Sequence, residues 1–136
     1  MKNFNEKSCT LCPRECHADR TVGAGVCGEG AEVRIAKVML HRWEEPCISG
    51  ADPKRGSGAI FFSGCPLHCV YCQNRDISAG GAGKTYTPKE LSEIFKRLES
   101  EGAYNINFVT PTHFTGKIIE ALDIYKPNLP IVFNTS

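Results

Sequence analysis

The sequence lacks an excess of charge of either sign. Sixteen lysines and arginines are balanced by fifteen aspartates and glutamates over 136 residues. Proteins that bind nucleic acid or an anionic membrane surface through long-range electrostatics carry a basic excess, which is missing here. We therefore expect neither nucleic acid nor a membrane among the partners of this chain.

Long apolar runs are also missing. The first ten residues, MKNFNEKSCT, hold no apolar core of the kind found in signal peptides. No run elsewhere approaches the length of a transmembrane helix. These absences predict a cytoplasmic protein, in which cysteines stay reduced and serve metal binding or catalysis more often than disulfides.

Cysteine, by contrast, is abundant, with eight residues in the chain. Cys47 stands alone, and we predict that it is a lone buried thiol. The others form two groups, the first being Cys9, Cys12, Cys16 and Cys27 and the second Cys65, Cys69 and Cys72.

The first group supplies four thiolates, which is enough to close a metal site and leave no position for a substrate. Zinc and a second 4Fe-4S cluster would both fit, and the alternative is four reduced thiols without metal. The surrounding segment has no apolar period, so a metal cross-link is a natural way to order it. We predict a cysteine-rich, metal-binding segment over residues 1–50.

The second group places three cysteines within eight positions of the stretch SGCPLHCVYCQN, residues 63–74. Thiolates select zinc, copper(I) or iron–sulfur clusters. Three cysteines can hold three irons of a four-iron cluster and leave the fourth iron without a protein ligand, so that a substrate can bind there. The alternative is a structural zinc loop or chance spacing. His68, inside the loop, is expected to face solvent.

The rest of the chain reads as alternating strands and helices. Thr87-Pro-Lys-Glu90 is a capping box at the start of a helix, and AIFFS is typical of a strand buried on both faces. The predicted elements are a strand over 32–40, a loop over 44–58, a strand over 59–63, a helix from Thr87 to about Gly102, a strand over 105–110, a helix from Thr112 or Thr115 to before Pro127, and a strand over 131–134. This order predicts an α/β fold with a parallel sheet and right-handed crossovers, whose ligands gather at the carboxyl ends of the strands.

Three parallel strands alone would leave an open sheet edge after residue 134. We therefore expect residues 56–136 to be the first part of a larger, truncated barrel. The alternative is a small complete three-layer domain. A truncated barrel is expected to be inactive by itself.

The motifs resemble the radical S-adenosylmethionine superfamily. Cys65-x3-Cys69-x2-Cys72, with Tyr71 before the last cysteine, is similar to its signature. Further stretches resemble the branch related to the pyruvate formate-lyase activating enzyme, namely CTLCPREC, GVCG, EEPCISG, GSGAIFFSGC, CVYCQN and YNINFVTPTHF. The resemblance implies a partial (β/α) parallel barrel, the N-terminal half of the radical S-adenosylmethionine type, preceded by the cysteine-rich segment.

The resemblance also implies a chemistry. Cys65, Cys69 and Cys72 would hold a 4Fe-4S cluster, S-adenosylmethionine would bind its open iron, and reductive cleavage would yield a 5′-deoxyadenosyl radical. Tyr71 would pack near the adenine. Relatives of this branch abstract hydrogen from a glycyl-radical enzyme and take electrons from flavodoxin or ferredoxin. The rival expectations are another peptide or small-molecule substrate, or a non-catalytic zinc module.

One departure from the branch lies at the end of the second core strand. Activating enzymes usually carry Gly-Gly-Glu there, where it meets the amino group of the cofactor, but this chain reads VTPTH over 109–113. Backbone carbonyls or the side chains of Thr110, Thr112 or His113 could make that contact. The alternative for His113 is a helix-start residue whose ring meets solvent or a backbone group.

Several other side chains are expected to have no role in the site. We predict that Trp43 packs between the N-terminal segment and the core. The charged side chains predicted to be solvated surface residues are those of Arg14, Arg20, Lys54 and Arg55.

Overall fold

The computed structural model describes residues 4–136 and contains a mixed five-stranded sheet. Its strands are β1 (Val33–His41), β2 (Ser57–Phe62), β3 (Lys84–Tyr86), β4 (Ile106–Val109) and β5 (Ile131–Asn134), in the order β3-β1-β2-β4-β5. β2, β4 and β5 run parallel, as predicted. β1 runs antiparallel to β2 and β3 and extends the sheet on the other side.

The helices are α1 (Pro46–Ser49), α2 (Arg75–Ser78), α3 (Pro88–Ser100) and α4 (Thr115–Ile124), with a 3₁₀ turn over Thr112–Phe114. The predicted capping box starts α3, since Thr87 Oγ1 accepts from the Glu90 amide at 3.2 Å and the Glu90 carboxylate accepts from the Thr87 amide at 2.8 Å. After α3, Gly102 adopts a φ of +84° and ends the helix as expected. No helix among residues 4–136 has the length and apolarity needed to cross a bilayer.

The hydrophobic core lies between one face of the sheet and the helices α3 and α4. Because side chains alternate along a strand, Ile60 and Phe108 face this core while Ala59 and Asn107 face the opposite side. The other large core residues are Val33, Ile35, Phe62, Leu91, Ile94, Phe95, Leu98, Ile106, Phe114 and Ile118. Both helices therefore cover a single face of the sheet.

Residues 4–32 contain neither helix nor strand, in agreement with the missing apolar period. Backbone turns give this segment its shape; for example, the Cys9 amide donates to the Ala18 carbonyl at 3.1 Å and the His17 amide to the Cys9 carbonyl at 3.0 Å. The segment packs against the carboxyl edge of the sheet through hydrogen bonds described below.

Two predictions in the region after β1 are wrong. Trp43 is 90% exposed because it lies in the bend beyond the last paired residue of β1, past the limit of the core. Cys47 is exposed because it lies in α1, a single surface turn of which only Ser49 is buried. The predicted loop over 44–58 also contains α1 and the first two residues of β2.

Candidate functional site

The loop with three cysteines leaves β2 at the carboxyl edge of the sheet, as predicted, and Gly64 starts it. Gly64 adopts a φ of +76°, and a Cβ at this position would lie 2.5 Å from the Cys27 carbonyl oxygen and 2.6 Å from Glu29 Cγ. Its amide donates to the Ile77 carbonyl at 3.0 Å. Only glycine meets both the backbone angle and the close approach without displacing the N-terminal segment. We call residues 64–74 the cysteine loop.

Within the cysteine loop the three sulfurs differ in exposure. Cys65 is buried, Cys72 is half-buried and Cys69 is exposed. The Leu67 amide points at Cys65 Sγ, 3.5 Å away, and the Cys72 amide donates to the Cys69 carbonyl at 3.2 Å to form a turn. Three thiols on one turn, with an amide aimed at one sulfur, are a donor set that suits an iron–sulfur cluster.

All eight cysteines are free thiols. Among residues 4–136, no three histidine, cysteine, aspartate or glutamate side chains are already close enough together to hold a metal ion. In both cysteine groups, metal binding would therefore require side-chain rotation.

Apolar side chains of the cysteine loop face outward. Val70 and Tyr71 are almost fully exposed, Tyr71 at 89%, and Leu67 is half-exposed. The Tyr71 ring is therefore free to pack against a bound group next to Cys72, and its contact with adenine stays a prediction.

Three hydrogen bonds join the cysteine loop to the N-terminal segment. The Cys65 amide donates to the Cys27 carbonyl at 3.2 Å, His68 Nε2 donates to the Val26 carbonyl at 2.7 Å, and Arg14 Nε donates to the Pro66 carbonyl at 2.8 Å. His68 is exposed as predicted, but its ring is used to hold the loop. Arg14 likewise has an exposed side chain that makes a specific contact.

A buried carboxylate, Glu29, makes further contacts where the N-terminal segment meets the cysteine loop, which we call the junction. Its Oε2 contacts Arg34 Nε at 3.1 Å and its Oε1 accepts from the Gly81 amide at 2.8 Å. The charge is therefore paired and hydrogen-bonded, which is the condition for burying a carboxylate without a large penalty. Glu29 was not predicted as a site residue, because a lone glutamate between two glycines carries no pattern.

The carboxyl edges of β4 and β5 bring together the predicted threonines. Thr112 Oγ1 lies 2.9 Å from Thr135 Oγ1, and the Thr110 amide donates to the Asn134 carbonyl at 2.9 Å. Thr110 adopts a φ of +57°, which is unusual for a β-branched residue and tends to occur at functional sites. The backbone thus makes a left-handed turn directly after β4.

His113 is buried, with 1% of its surface exposed, and its Nε2 donates to the Ser63 carbonyl at 2.7 Å. The ring thus meets a backbone group, and a contact of His113 with the cofactor stays a prediction. Burial lowers the pKa of His113 to about 4, with the Ser63 hydrogen bond opposing and the Arg20 charge adding to the shift. The ring is therefore neutral at pH 7.

Arg20 was predicted to be a surface charge, and this prediction is wrong, since only 4% of Arg20 is exposed. Its Nη1 donates to the His113 carbonyl at 2.5 Å, its Nη2 donates to the Gly30 carbonyl, and its guanidinium lies 5.3 Å from the centre of the Phe114 ring. An arginine in a segment without apolar periodicity gives no sequence signal of burial. Arg20 ties the N-terminal segment to the start of α4.

Arg55 also departs from the prediction of a solvated charge. Its Nε donates to the Gly102 carbonyl at 2.7 Å, and its guanidinium lies 3.8 Å from the centre of the Tyr104 ring. It fastens the turn after α3.

The four N-terminal cysteines lie beside this junction. Cys9 and Cys27 are buried, whereas Cys12 and Cys16 are half-buried. A cavity of about 350 Å³ lies nearby between the segment and α4. Its lining includes Phe4, Leu11, Arg20, His113 and Lys117 but no cysteine, so this space is separate from both cysteine groups.

Comparison with known proteins gives two matches. The family model of the radical SAM superfamily matches residues 59–136, from β2 through β5. An uncharacterized protein of Methanocaldococcus jannaschii is 33% identical over 139 residues, which cover 96% of this chain and 39% of that protein. The chain thus spans well under half the length of this relative. No solved structure matches it at a significant level.

The family match covers the parallel strands and the whole cysteine loop, and the relative aligns along almost the entire chain. The family implies a 4Fe-4S cluster, S-adenosylmethionine and an oxidoreductase-type reaction. On this evidence the chain belongs to the radical S-adenosylmethionine superfamily.

Proposed function

We propose that the full-length protein is a radical S-adenosylmethionine enzyme in which Cys65, Cys69 and Cys72 hold the cluster. The cluster, when bound, supplies the electron that cleaves S-adenosylmethionine to methionine and a 5′-deoxyadenosyl radical. The observation that carries the proposal is the cysteine loop, which leaves β2 at the carboxyl edge of the parallel strands β2, β4 and β5 and is fixed there by Gly64.

The residues of the chain would hold and orient this cofactor pair. The Leu67 amide at 3.5 Å from Cys65 Sγ stabilises a thiolate, and hydrogen bonds to sulfur are one of the ways in which proteins set cluster potentials. The exposed Tyr71 ring is available to cover the adenine. The Thr110 carbonyl and the Thr112 hydroxyl would accept hydrogen bonds from the amino group of the cofactor, in place of Gly-Gly-Glu.

We further propose that this chain forms the first part of a (β/α) barrel. The outer edge of β5 has no partner strand among residues 4–136, and the apolar side chains of Ile131 and Phe133 are partly exposed there. The longer relative offers enough further sequence for additional strands. Under this proposal residues 1–50 form the cysteine-rich segment and residues 56–136 form the first part of the core.

The favoured reaction is activation of a glycyl-radical enzyme, in the manner of the pyruvate formate-lyase activating enzyme. Similarity of the stretches around the cysteine loop supports this branch, and an electron donor such as flavodoxin or ferredoxin would be required. The threonines in place of Gly-Gly-Glu favour the alternative of another peptide or small-molecule substrate within the same chemistry. We also keep a cytoplasmic location as a proposal, supported by the free thiols.

Anaerobic reconstitution of the full-length protein with iron and sulfide tests the proposal. A brown, oxygen-sensitive protein is expected, whose reduced cluster spectrum changes when S-adenosylmethionine is added. Cys65→Ala should abolish formation of 5′-deoxyadenosine, whereas Cys47→Ala, which changes an exposed cysteine in α1, should preserve it. A colourless protein that retains zinc at Cys65, Cys69 and Cys72 would instead support the zinc module and overturn the proposal.

A further inference from the structure

We propose that Cys9, Cys12, Cys16 and Cys27 form a second metal site, closed by four thiolates, which seats the cysteine loop. The site serves as a structural clamp, and its metal is a soft centre, either zinc or an iron–sulfur cluster. The existence of this metal does not depend on the proposed radical reaction.

The first observation is a space between two of the sulfurs. A Cβ added to Gly25 would lie 3.4 Å from Cys16 Sγ and 3.5 Å from Cys27 Sγ. The missing side chain therefore leaves a gap that both sulfurs border. A larger residue at position 25 would fill the gap without removing a thiol.

Cys9 is buried like Cys27, and Cys12 is half-buried three residues further along the chain. Arg20 connects Cys9 with the turn around Cys27, because its Nη2 donates to the Gly30 carbonyl. Arg20 Nη1 lies 3.9 Å from Cys9 Sγ, where its charge offsets that of the thiolates.

The backbone around these residues is built of turns and has no regular structure that could order it. Glu15 donates its amide to the Cys12 carbonyl at 3.0 Å, and Gly28 donates to the Gly25 carbonyl at 2.9 Å. A metal cross-link is the usual means by which such short unpatterned segments gain stability. The sulfurs of Cys12 and Cys16 must rotate to reach a common centre, which their partial exposure permits.

Cys27 connects the two cysteine groups through a single residue. Its sulfur belongs to the first group, while its carbonyl accepts the amide of Cys65, the first cysteine of the second group, at 3.2 Å. Val26, the neighbour of Cys27, makes a second such contact, because its carbonyl accepts from His68 Nε2 of the cysteine loop at 2.7 Å. Metal at the first group would therefore fix the carbonyls on which the cysteine loop rests, and Cys27 is a positioning residue for that loop.

Metal analysis of the 136-residue chain tests the site. In the triple variant Cys65→Ser, Cys69→Ser, Cys72→Ser, we expect about one zinc per chain after growth with zinc, or about four irons if the centre is a 4Fe-4S cluster. Adding Gly25→Val to this variant should lower the metal content at least about fivefold, because the valine fills the gap between two ligands.

Gly23→Val is the matched control, since the only atom within 4 Å of its added Cβ is the Asp19 carbonyl oxygen, at 3.9 Å. It should keep the metal. Because Cys12 and Cys16 are half-buried, Cys12→Ser and Cys16→Ser provide a second, milder set of variants. Retention of full metal content in Gly25→Val, Cys12→Ser and Cys16→Ser, or absence of metal in the triple variant, would overturn the proposal. Loss of radical chemistry alone would not affect it.

Thiol labelling tests the clamp itself. With Cys65, Cys69 and Cys72 present but metal-free, removing metal from the first group with a chelator should raise the labelling rate of buried Cys65 about tenfold, because its amide contact loosens. Labelling of the exposed Cys47 should not change. An unchanged rate at Cys65 would show that the two groups are independent.

Discussion

Two buried polar side chains, Arg20 and His113, hold the site at the scale of single residues. Arg20 donates to the His113 carbonyl, and the His113 ring donates to Ser63, which lies directly before the cysteine loop. Neither ring nor guanidinium faces solvent. Their hydrogen bonds therefore act on the loop through its backbone.

The free energy of unfolding should decrease as the pH is lowered, because of His113. The folded pKa is about 4 and the ordinary value is 6.5, so the unfolded chain takes up a proton that the folded chain rejects. Above pH 6.5 the neutral ring costs the folded chain nothing. As the pH falls to about 4, the free energy of unfolding decreases by about 3 kcal/mol. Urea unfolding at several pH values measures this loss, with Arg20 and Glu29 as the charged groups that also influence the ring.

The variant His113→Gln should flatten the pH dependence of unfolding between pH 6.5 and 4. His17→Asn is the control, since His17 is exposed and adopts a left-handed φ that asparagine tolerates. It should keep the slope of the wild type. Equal slopes in both variants would contradict the assignment to His113.

Thr110 should be a strained position. Replacing it with glycine is expected to raise the free energy of unfolding by about 0.5–1 kcal/mol, because glycine adopts a φ near +57° without penalty. Thr85→Gly, in the exposed part of β3, should instead lower it by about 1 kcal/mol. Urea denaturation compares the two, and a loss of stability in Thr110→Gly would remove the argument from strain.

Some residues of the site could be predicted from the sequence and others could not. The cysteines could be recognised as candidate ligands, because thiol chemistry depends on residue type and spacing, both of which are visible in the sequence, and their metal binding stays a prediction. Arg20 and Glu29 could not, because their burial results from partners up to 93 positions away in the case of Arg20 and 52 in the case of Glu29. The prediction for Trp43 was wrong for the opposite reason. A large aromatic side chain usually packs in the core, but this one lies beyond the core and is exposed.

At the scale of elements, the cysteine loop depends on the junction with residues 26–29. Gly64 allows the loop to approach the Cys27 carbonyl, and Gly28 and Gly80 pack backbone against backbone, with 3.1 Å between an added Cβ at Gly80 and the Gly28 oxygen. The loop is held by main-chain contacts and by the side chains of His68 and Arg14, and these contacts leave its cysteine side chains available.

Gly64→Ala should lower the free energy of unfolding by at least about 2 kcal/mol, because it combines a left-handed φ with a collision against Cys27. Gly81→Ala is the matched control. Its φ of +77° is equally left-handed, but nothing lies within 4 Å of its added Cβ, so only about 1 kcal/mol should be lost. Urea denaturation gives both values, and equal losses would mean that the close approach to Cys27 is not important.

The long elements were predictable and the short ones were not. α3 has thirteen residues, a complete capping box and an apolar stripe, so its limits agree with the pattern to within about two residues. α1, α2 and β3 have three or four residues each, which is too short for any period to appear. Their positions follow from tertiary contacts, such as the pairing of β3 with Val33–Ile35 of β1.

At the scale of the whole molecule, the antiparallel strands β1 and β3 extend one side of the sheet, and β5 forms the other edge, unpaired on its outer side within residues 4–136. The parallel half was predictable from the strand–helix order. The antiparallel extension was not, because β1 was recognised as a strand while nothing in its sequence specifies its neighbour.

The unpaired side of β5 should make the 136-residue chain self-associate. Light scattering at increasing concentration is expected to show dimers or larger species, because Ile131 and Phe133 leave apolar surface beside free backbone groups. Ile131→Lys should reduce association several-fold. Ile124→Lys, which removes an exposed apolar side chain at the end of α4, should leave it unchanged. A strictly monomeric wild type would contradict this prediction.

Cys27 contributes its sulfur to the first cysteine group and its carbonyl to the contact with Cys65, which limits how the two parts of the protein can be recombined. A terminal extension joined by a flexible tether could be exchanged for another without consequence, but here the Cys27 carbonyl of the extension accepts the amide of Cys65 in the proposed cluster site. Inserting or deleting a residue between Cys27 and Glu29 would shift the carbonyl and the carboxylate relative to each other, and both contacts would be lost together. We therefore expect a chimera of the two parts to keep these contacts only when both parts come from the same parent.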